Sequence, residues 1–226
     1  MLCILYFSEY NVYSKPLKAD TDILFFLDSS RSVSSTDYDK EKDFIKALTQ
    51  VFLLKGRGPR AGLIVYGASA KTVLHPQNYT NRNDFNSKLY GAPRIGGSRN
   101  FYKALHLGIR LFSSRTSSGP NIAILLTSGE NVVDINTASL QDLALSRTRL
   151  GVNIYVVAIG SELNKGRLLN LVPRPGDLVM VDSYDTLASK VQVIARHVQL
   201  THGMLNEIKH TSYKVKVPLL QNRSHT

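Results

Sequence analysis

The sequence predicts a doubly wound α/β domain: a mostly parallel six-stranded sheet with one antiparallel edge strand and helices on both faces. Three observations predict it. Six short apolar runs alternate with segments of helical period. The runs are apolar throughout rather than at every second residue, as in strands covered on both faces. Two of the runs are joined through Gly67–Ser69 alone, which leaves room for a hairpin and not for a crossover helix.

The elements follow in order. "DILFFLD" (Asp22–Asp28) is the first strand. Ser34 to Lys55 reads as a helix, because Phe44, Ala47, Leu48, Val51 and Phe52 repeat at i, i+3, i+4, i+7 and i+8. Thr36 and Asp39 have capping-box spacing at its start. "RAGLIVYG" and "AKTVLH" form the hairpin, and Asn83 to Tyr90 a short helix. "IGGSRNFYKALHLGIRLF" opens on a glycine turn and continues as a helix through Ala104, Leu105, Leu107, Ile109 and Leu111. "NIAILLTSG" is a strand, Thr137 to Arg149 a helix and "VNIYVVAIG" a strand. Lys165 to Leu171 is a short helix and "DLVMVD" the last strand. Asp185 to Leu200 is a helix with Leu187, Val191, Ile194 and Val198 on one stripe. Residues 1–19 read as a leader or linker, 20–200 as the domain, and 201–226 as a basic tail or linker.

Bulk properties narrow the function classes. Hydrophobic residues make up 43 %, a globular composition, and the formal net charge is +11. That charge favours acidic partners. The single cysteine, Cys3, allows no internal disulfide, and the six histidines show no ligand spacing. No apolar run approaches the ~20 residues of a membrane span. No nucleophile stands in a motif context near His75, His106 or His197, so the chain is not read as an enzyme. "GRGPRAG" lacks the spacing of a phosphate loop and precedes a strand. A nucleic-acid reading rests on charge alone, since aromatic residues are 8 % and tryptophan is absent.

Three loops fall at the carboxyl ends of strands, where open α/β sheets hold their ligands. They are "DSSRSV" after the first strand, "RIGGSRNF" before the long helix and "TSGENVVD" after the fourth strand. Together with "VNIYVVAIG", the motifs "DILFFLDSSRSV", "GGSRNFYKAL" and "AILLTSGENVVD" resemble the von Willebrand factor type A domain, in particular those of matrilins and type six collagen. The resemblance covers about Asp20 to Leu200. It implies a Rossmann-like fold and a non-catalytic adhesion or matrix-interaction module, secreted, with a protein partner. An intracellular scaffold for complex assembly is the alternative, and a nucleic-acid or nucleotide binder a second one.

The family pairs a DxSxS motif with a threonine in the second loop and an aspartate in the third, the metal-ion-dependent adhesion site. Mg²⁺ suits such a site, being a hard ion that takes about six oxygens. Asp28, Ser30 and Ser32 keep the first motif. The threonine position is Arg99, the following hydroxyl position Phe101, and the aspartate position Ser128; Ser98 would replace the threonine only if the register shifted by one. A carboxylate is thus lost and a cation gained. No metal is expected, and no other cofactor; Asp28, Ser30 and Ser32 are the residues a metal would use. Asp28 either pairs with Arg99 or caps the next helix while Arg99 and Arg31 face solvent. The partner-binding face is expected at Asp28, Ser30, Arg31, Ser32, Arg99 and Ser128. Turns at the opposite end carry Lys55, Arg57, Arg60, Arg115, Arg147, Arg149 and Arg174 against Asp177, a candidate surface for sulfated polysaccharide. Asn78 and Asn222 stand in glycosylation sequons.

Overall fold

A computed structural model describes residues 16–52, 54, 58–114, 118–128, 141, 144–145, 147–161 and 163–202. Its strands are β1 (Asp22–Asp28), β2 (Arg60–Tyr66), β3 (Ala70–Leu74), β4 (Asn121–Ser128), β5 (Val152–Ile159) and β6 (Leu178–Val181). They form one six-stranded sheet in the order β3-β2-β1-β4-β5-β6. All pairs are parallel except β2 with β3, so the hairpin is the antiparallel edge that its short connection predicts. The helices are α1 (Ser35–Val51), α2 (Arg82–Tyr90), α3 (Phe101–Ser113), α4 (Lys165–Leu169) and α5 (Val191–His202). None of the described helices is long and apolar enough to cross a membrane.

Successive side chains of a strand face opposite sides, so each central strand feeds two cores. Ile23, Phe25 and Leu27 join Phe44, Ile45 and Leu48 of α1, Phe85 of α2 and Ile194 of α5. Leu24 and Phe26 join Phe101, Leu105 and Phe112 of α3 on the other side. Both faces are covered, and all seven residues of β1 are buried.

Several boundaries differ from the sequence expectation. The cap of α1 is Ser34, whose Oγ accepts from Asp37 N–H at 3.0 Å and donates to Asp37 Oδ2 at 2.8 Å. Thr36 lies inside the first turn, so Thr36 with Asp39 is not the capping box. The helix ends at Val51 with Phe52 as its C-cap. The stretch from Asp185 divides into a 3-10 turn, Leu187–Lys190, and then α5. The helix expected over 137–149 lies mostly outside the described residues, as do both terminal segments beyond 16–202; residues 147–149 are helical.

Candidate functional site

The strand order reverses between β1 and β4. The chain leaves β1 toward β2 by way of α1 on one face, and reaches β4 by way of α3 on the other. A crevice therefore opens at the carboxyl ends of these two strands. Asp28 ends β1 and Ser128 ends β4. The loop before α3 is pinned against both neighbours: Gly96 N–H donates to Ser29 O (2.9 Å), Arg31 N–H to Gly97 O (2.8 Å) and Ala68 N–H to Gly96 O (2.9 Å). Gly96 and Gly97 take φ of 71° and 74°, which side-chain-bearing residues rarely adopt. A Cβ on Gly67 would stand 2.3 Å from Gly96 O, so the close approach of the two loops needs glycine there too.

This bracing carries Arg99 into the crevice, where it is 1 % exposed. Its Nε donates to Asp28 Oδ2 at 2.5 Å. Its Nη2 donates to Ser32 Oγ at 2.5 Å and to Ser128 Oγ at 2.9 Å. Asp28, fully buried, also accepts from Ser30 N–H at 2.9 Å and Ser128 N–H at 3.3 Å. Ser30 Oγ lies 3.2 Å from Ser32 Oγ. Of the two fates left open for Asp28, the structure takes the pairing; α1 has its own cap, and Arg99 does not face solvent. Arg31 does. Phe101, in the other departing position, is a buried core residue of α3.

The residues present do not fit a divalent cation. Asp28 Oδ2, Ser32 Oγ and Ser128 Oγ already accept from one guanidinium. An ion on those oxygens would meet a fixed positive charge at ~4 Å, a cost of several kcal/mol even at an effective dielectric of about 20.

Glu41 belongs to this site and was not singled out from the sequence. It is fully buried on α1; its Oε2 accepts Asp28 N–H at 3.0 Å and its Oε1 accepts from Tyr184 OH at 3.0 Å. Its position was legible: it stands three residues after Tyr38 and three before Phe44, on the buried stripe of α1. Burial, and then the neighbouring Asp28, push its carboxyl well above the usual carboxylate range. The folded state therefore holds a proton that the unfolded chain releases. Stability from this group is present at acid pH and is lost as pH rises past the ordinary carboxylate range. Glu41→Gln, which keeps the acceptor for Asp28 N–H, is expected to flatten this fall. Urea denaturation of both proteins from pH 5 to pH 8 tests it, and parallel curves would contradict it.

The basic turns at the opposite end come out differently from expectation. Arg60 donates from Nε to Asp22 Oδ1 (2.6 Å) and from Nη2 to Asp22 Oδ2 (2.9 Å). Arg174 grips buried Asp177 in the same two-pronged way, at 3.0 Å for both bonds. Asp22 thus stands against this patch alongside Asp177. Arg147 reaches Leu171 O at 3.4 Å, and Arg149 is exposed. Lys55, Arg57, Arg115 and Asn222 lie outside the described residues. Asn78 is exposed in a 3-10 turn.

Fold and site together define an α/β domain with a buried guanidinium in the crevice at its strand ends. The family model for the von Willebrand factor type A domain matches residues 22–192, and the chain belongs to that family. Similar proteins include the collagen alpha-1(VI) chain of Xenopus laevis, 26 % identical over 67 % of this chain and 15 % of its own length. Mouse matrilin-2 is 21 % identical over 84 % of this chain and 20 % of its own, and human vitrin 24 % over 61 % and 20 %. The chain thus spans a fifth or less of these relatives. Among solved structures, proximal thread matrix protein 1 from the mussel byssus shares the fold with a TM-score of 0.71 and 19 % identity, covering 80 % of this chain and 48 % of that one. The same mussel protein is also known with a zinc-occupied MIDAS motif, at a TM-score of 0.69.

Proposed function

We propose that this domain is a non-catalytic, metal-independent adhesion module of an extracellular-matrix protein. It docks a protein partner on the surface built from the loops after β1 and before α3. The observation that carries this reading is Arg99. Its guanidinium bonds Asp28, Ser32 and Ser128, which stand at positions through which the family pattern would hold a metal. The relatives support the matrix setting: collagen VI, matrilin-2 and vitrin. A pocket of about 530 Å³, lined by Arg31, Ser32, Gly97, Ser98 and Arg99, offers the partner a concave surface with Arg31 as its exposed cation. In this reading Arg99 organises the loops internally, and Arg31 meets the partner.

Metal addition tests it. Millimolar Mg²⁺ or Mn²⁺ should leave the melting temperature unchanged, because a ligand stabilises only what it binds. An EDTA-reversible rise would overturn the proposal. Arg99→Thr with Ser128→Asp should create a metal response. Ser128→Asp alone should not, since Arg99 would pair with the new carboxylate.

A further inference from the structure

The net charge of +11 is not explained by the loops of the crevice, nor by the arginines that Asp22 and Asp177 hold. Its distribution along the chain is uneven. Between residues 61 and 128 the sequence has eight Lys or Arg and one acid, Asp84, a net +7. Asp84 lies on α2, whose buried residues pack on the α1 side of the sheet. The α3 side is thereby left without a described acid from this stretch.

On that side a groove of about 390 Å³ runs between α3 and the hairpin, lined by Ser69, Tyr102, Lys103, His106 and Arg110 among others. Lys103, His106 and Arg110 follow at i, i+3 and i+7, a single stripe about 10 Å long at 1.5 Å per residue. All three are exposed. No described carboxylate lies within salt-bridge distance of Lys103 or Arg110. Tyr102 packs beside His106 with ring centroids 6.0 Å apart, giving the groove an aromatic wall. Lys103 Nζ is held toward the hairpin by Ala68 O at 3.3 Å, and Ala68 N–H is bonded to Gly96 O. That contact fixes Lys103 at the hairpin end of the groove. The basic track is thus the exposed stripe of α3, with Lys103 at its hairpin end.

The geometry points to a binding site for a linear sulfated polysaccharide along this track, with Lys103 and Arg110 as the principal anion contacts. A linear polyanion suits it because the charges are strung along a helix and not gathered around one point. Helix–sheet packing holds their spacing: Phe101, Ala104, Leu105 and Phe112 fix α3 against the sheet. The opposite end of the domain is the poorer candidate, since Arg60 and Arg174 are each bonded to a buried aspartate. This site is independent of the protein-docking reading, because neither Lys103 nor Arg110 lines the Arg31 pocket.

The test is salt elution of the full chain from immobilised heparin. Three proteins are compared: wild type, Lys103→Ser/Arg110→Ser, and Arg147→Ser/Arg149→Ser. Polyanion binding releases counterions, so each lost contact lowers the slope of log affinity against log salt by about one. The groove variant should elute at lower salt with a slope smaller by about two, and the Arg147/Arg149 variant with the wild type. Thermal melting establishes that the variants are folded; both groove positions are exposed, so Lys103→Gln/Arg110→Gln serves as a second version if serine weakens the helix. Co-elution of the groove variant with wild type would overturn the site, as would a shift seen only in the Arg147/Arg149 variant. A desulfated heparin column retaining the wild type equally well would overturn the sulfate requirement. Tighter retention on double-stranded DNA than on heparin at equal salt would overturn the polysaccharide assignment.

Discussion

Arg99→Met is expected to lower the free energy of unfolding by about 3–5 kcal/mol, the usual cost of stripping one partner from a buried ion pair. Methionine roughly preserves the length of the side chain, so the loss is electrostatic more than steric. Asp28 would remain fully buried with the backbone N–H groups of Ser30 and Ser128 as bonds and no cation at 2.5 Å. Glu41, whose Oε2 accepts Asp28 N–H, keeps its proton and offers Asp28 no counter-charge. Asp28→Asn added to Arg99→Met should recover much of the loss, since the unpaired charge is then gone. The pair should show strong coupling in a double-mutant cycle. Arg99→Lys should fall between, because an ammonium keeps the charge but cannot reach Asp28, Ser32 and Ser128 as one planar fork. Urea denaturation of wild type, Arg99→Met, Asp28→Asn, the double variant and Arg99→Lys gives these numbers. A cost below about 1 kcal/mol for Arg99→Met would mean that Asp28 tolerates the crevice unpaired.

Ile194→Ala is expected to cost about 2–5 kcal/mol, as large-to-small changes in packed cores do. Ile194 is 2 % exposed and shares its core with Leu187, Val191 and Val198, the stripe visible in the sequence. The far end of α5 is held by polar contacts as well. His197 Nε2 lies 2.8 Å from Asp177 Oδ1, and Tyr155 OH lies 2.8 Å from His202 Nε2. Arg174 completes this cluster through Asp177. A helix packed along its length and bonded at its end has one resting register, so the cavity left by truncation should not be relieved by sliding. Equilibrium denaturation gives the number, and a loss under ~0.5 kcal/mol would show a loosely docked helix.

Element existence was legible because it rests on local information. The fully apolar runs of β1, β4 and β5, the helical stripes of α1 and α5, and the three-residue Gly67–Ser69 connection each declare themselves within a few residues. They predicted the mixed sheet and its antiparallel edge. The first two loops, and Ser128 at the start of the third, lie by the carboxyl ends of β1 and β4, where the sequence predicts them. Boundaries were less legible: Ser34 and Thr36 are both plausible caps, and the choice follows from where the chain turns after Val33.

The particulars of the site were decided by tertiary structure. Asp28 and Arg99 are 71 residues apart, and Asp28 and Ser128 are 100 apart. No periodicity reports on a pair so distant, so the sequence leaves pairing and helix-capping as alternatives, and the glycine-braced loop that carries Arg99 inward decides between them. Glu41 carried a local sign, an acid on an apolar stripe, but its bond to Asp28 depends on how α1 packs beneath β1. The same reason separates the two basic surfaces. Arg60 and Arg174 look like Lys103 and Arg110 in the sequence, but the strand register sets Arg60 beside Asp22, and the turn before β6 sets Arg174 on Asp177. Local sequence determined which elements form, because helix and strand patterns arise from near neighbours; which charges remain open to a partner was decided by packing, because burial in a low-dielectric interior obliges a carboxyl group either to find a cation, as Asp22, Asp28 and Asp177 do, or to keep its proton, as Glu41 does.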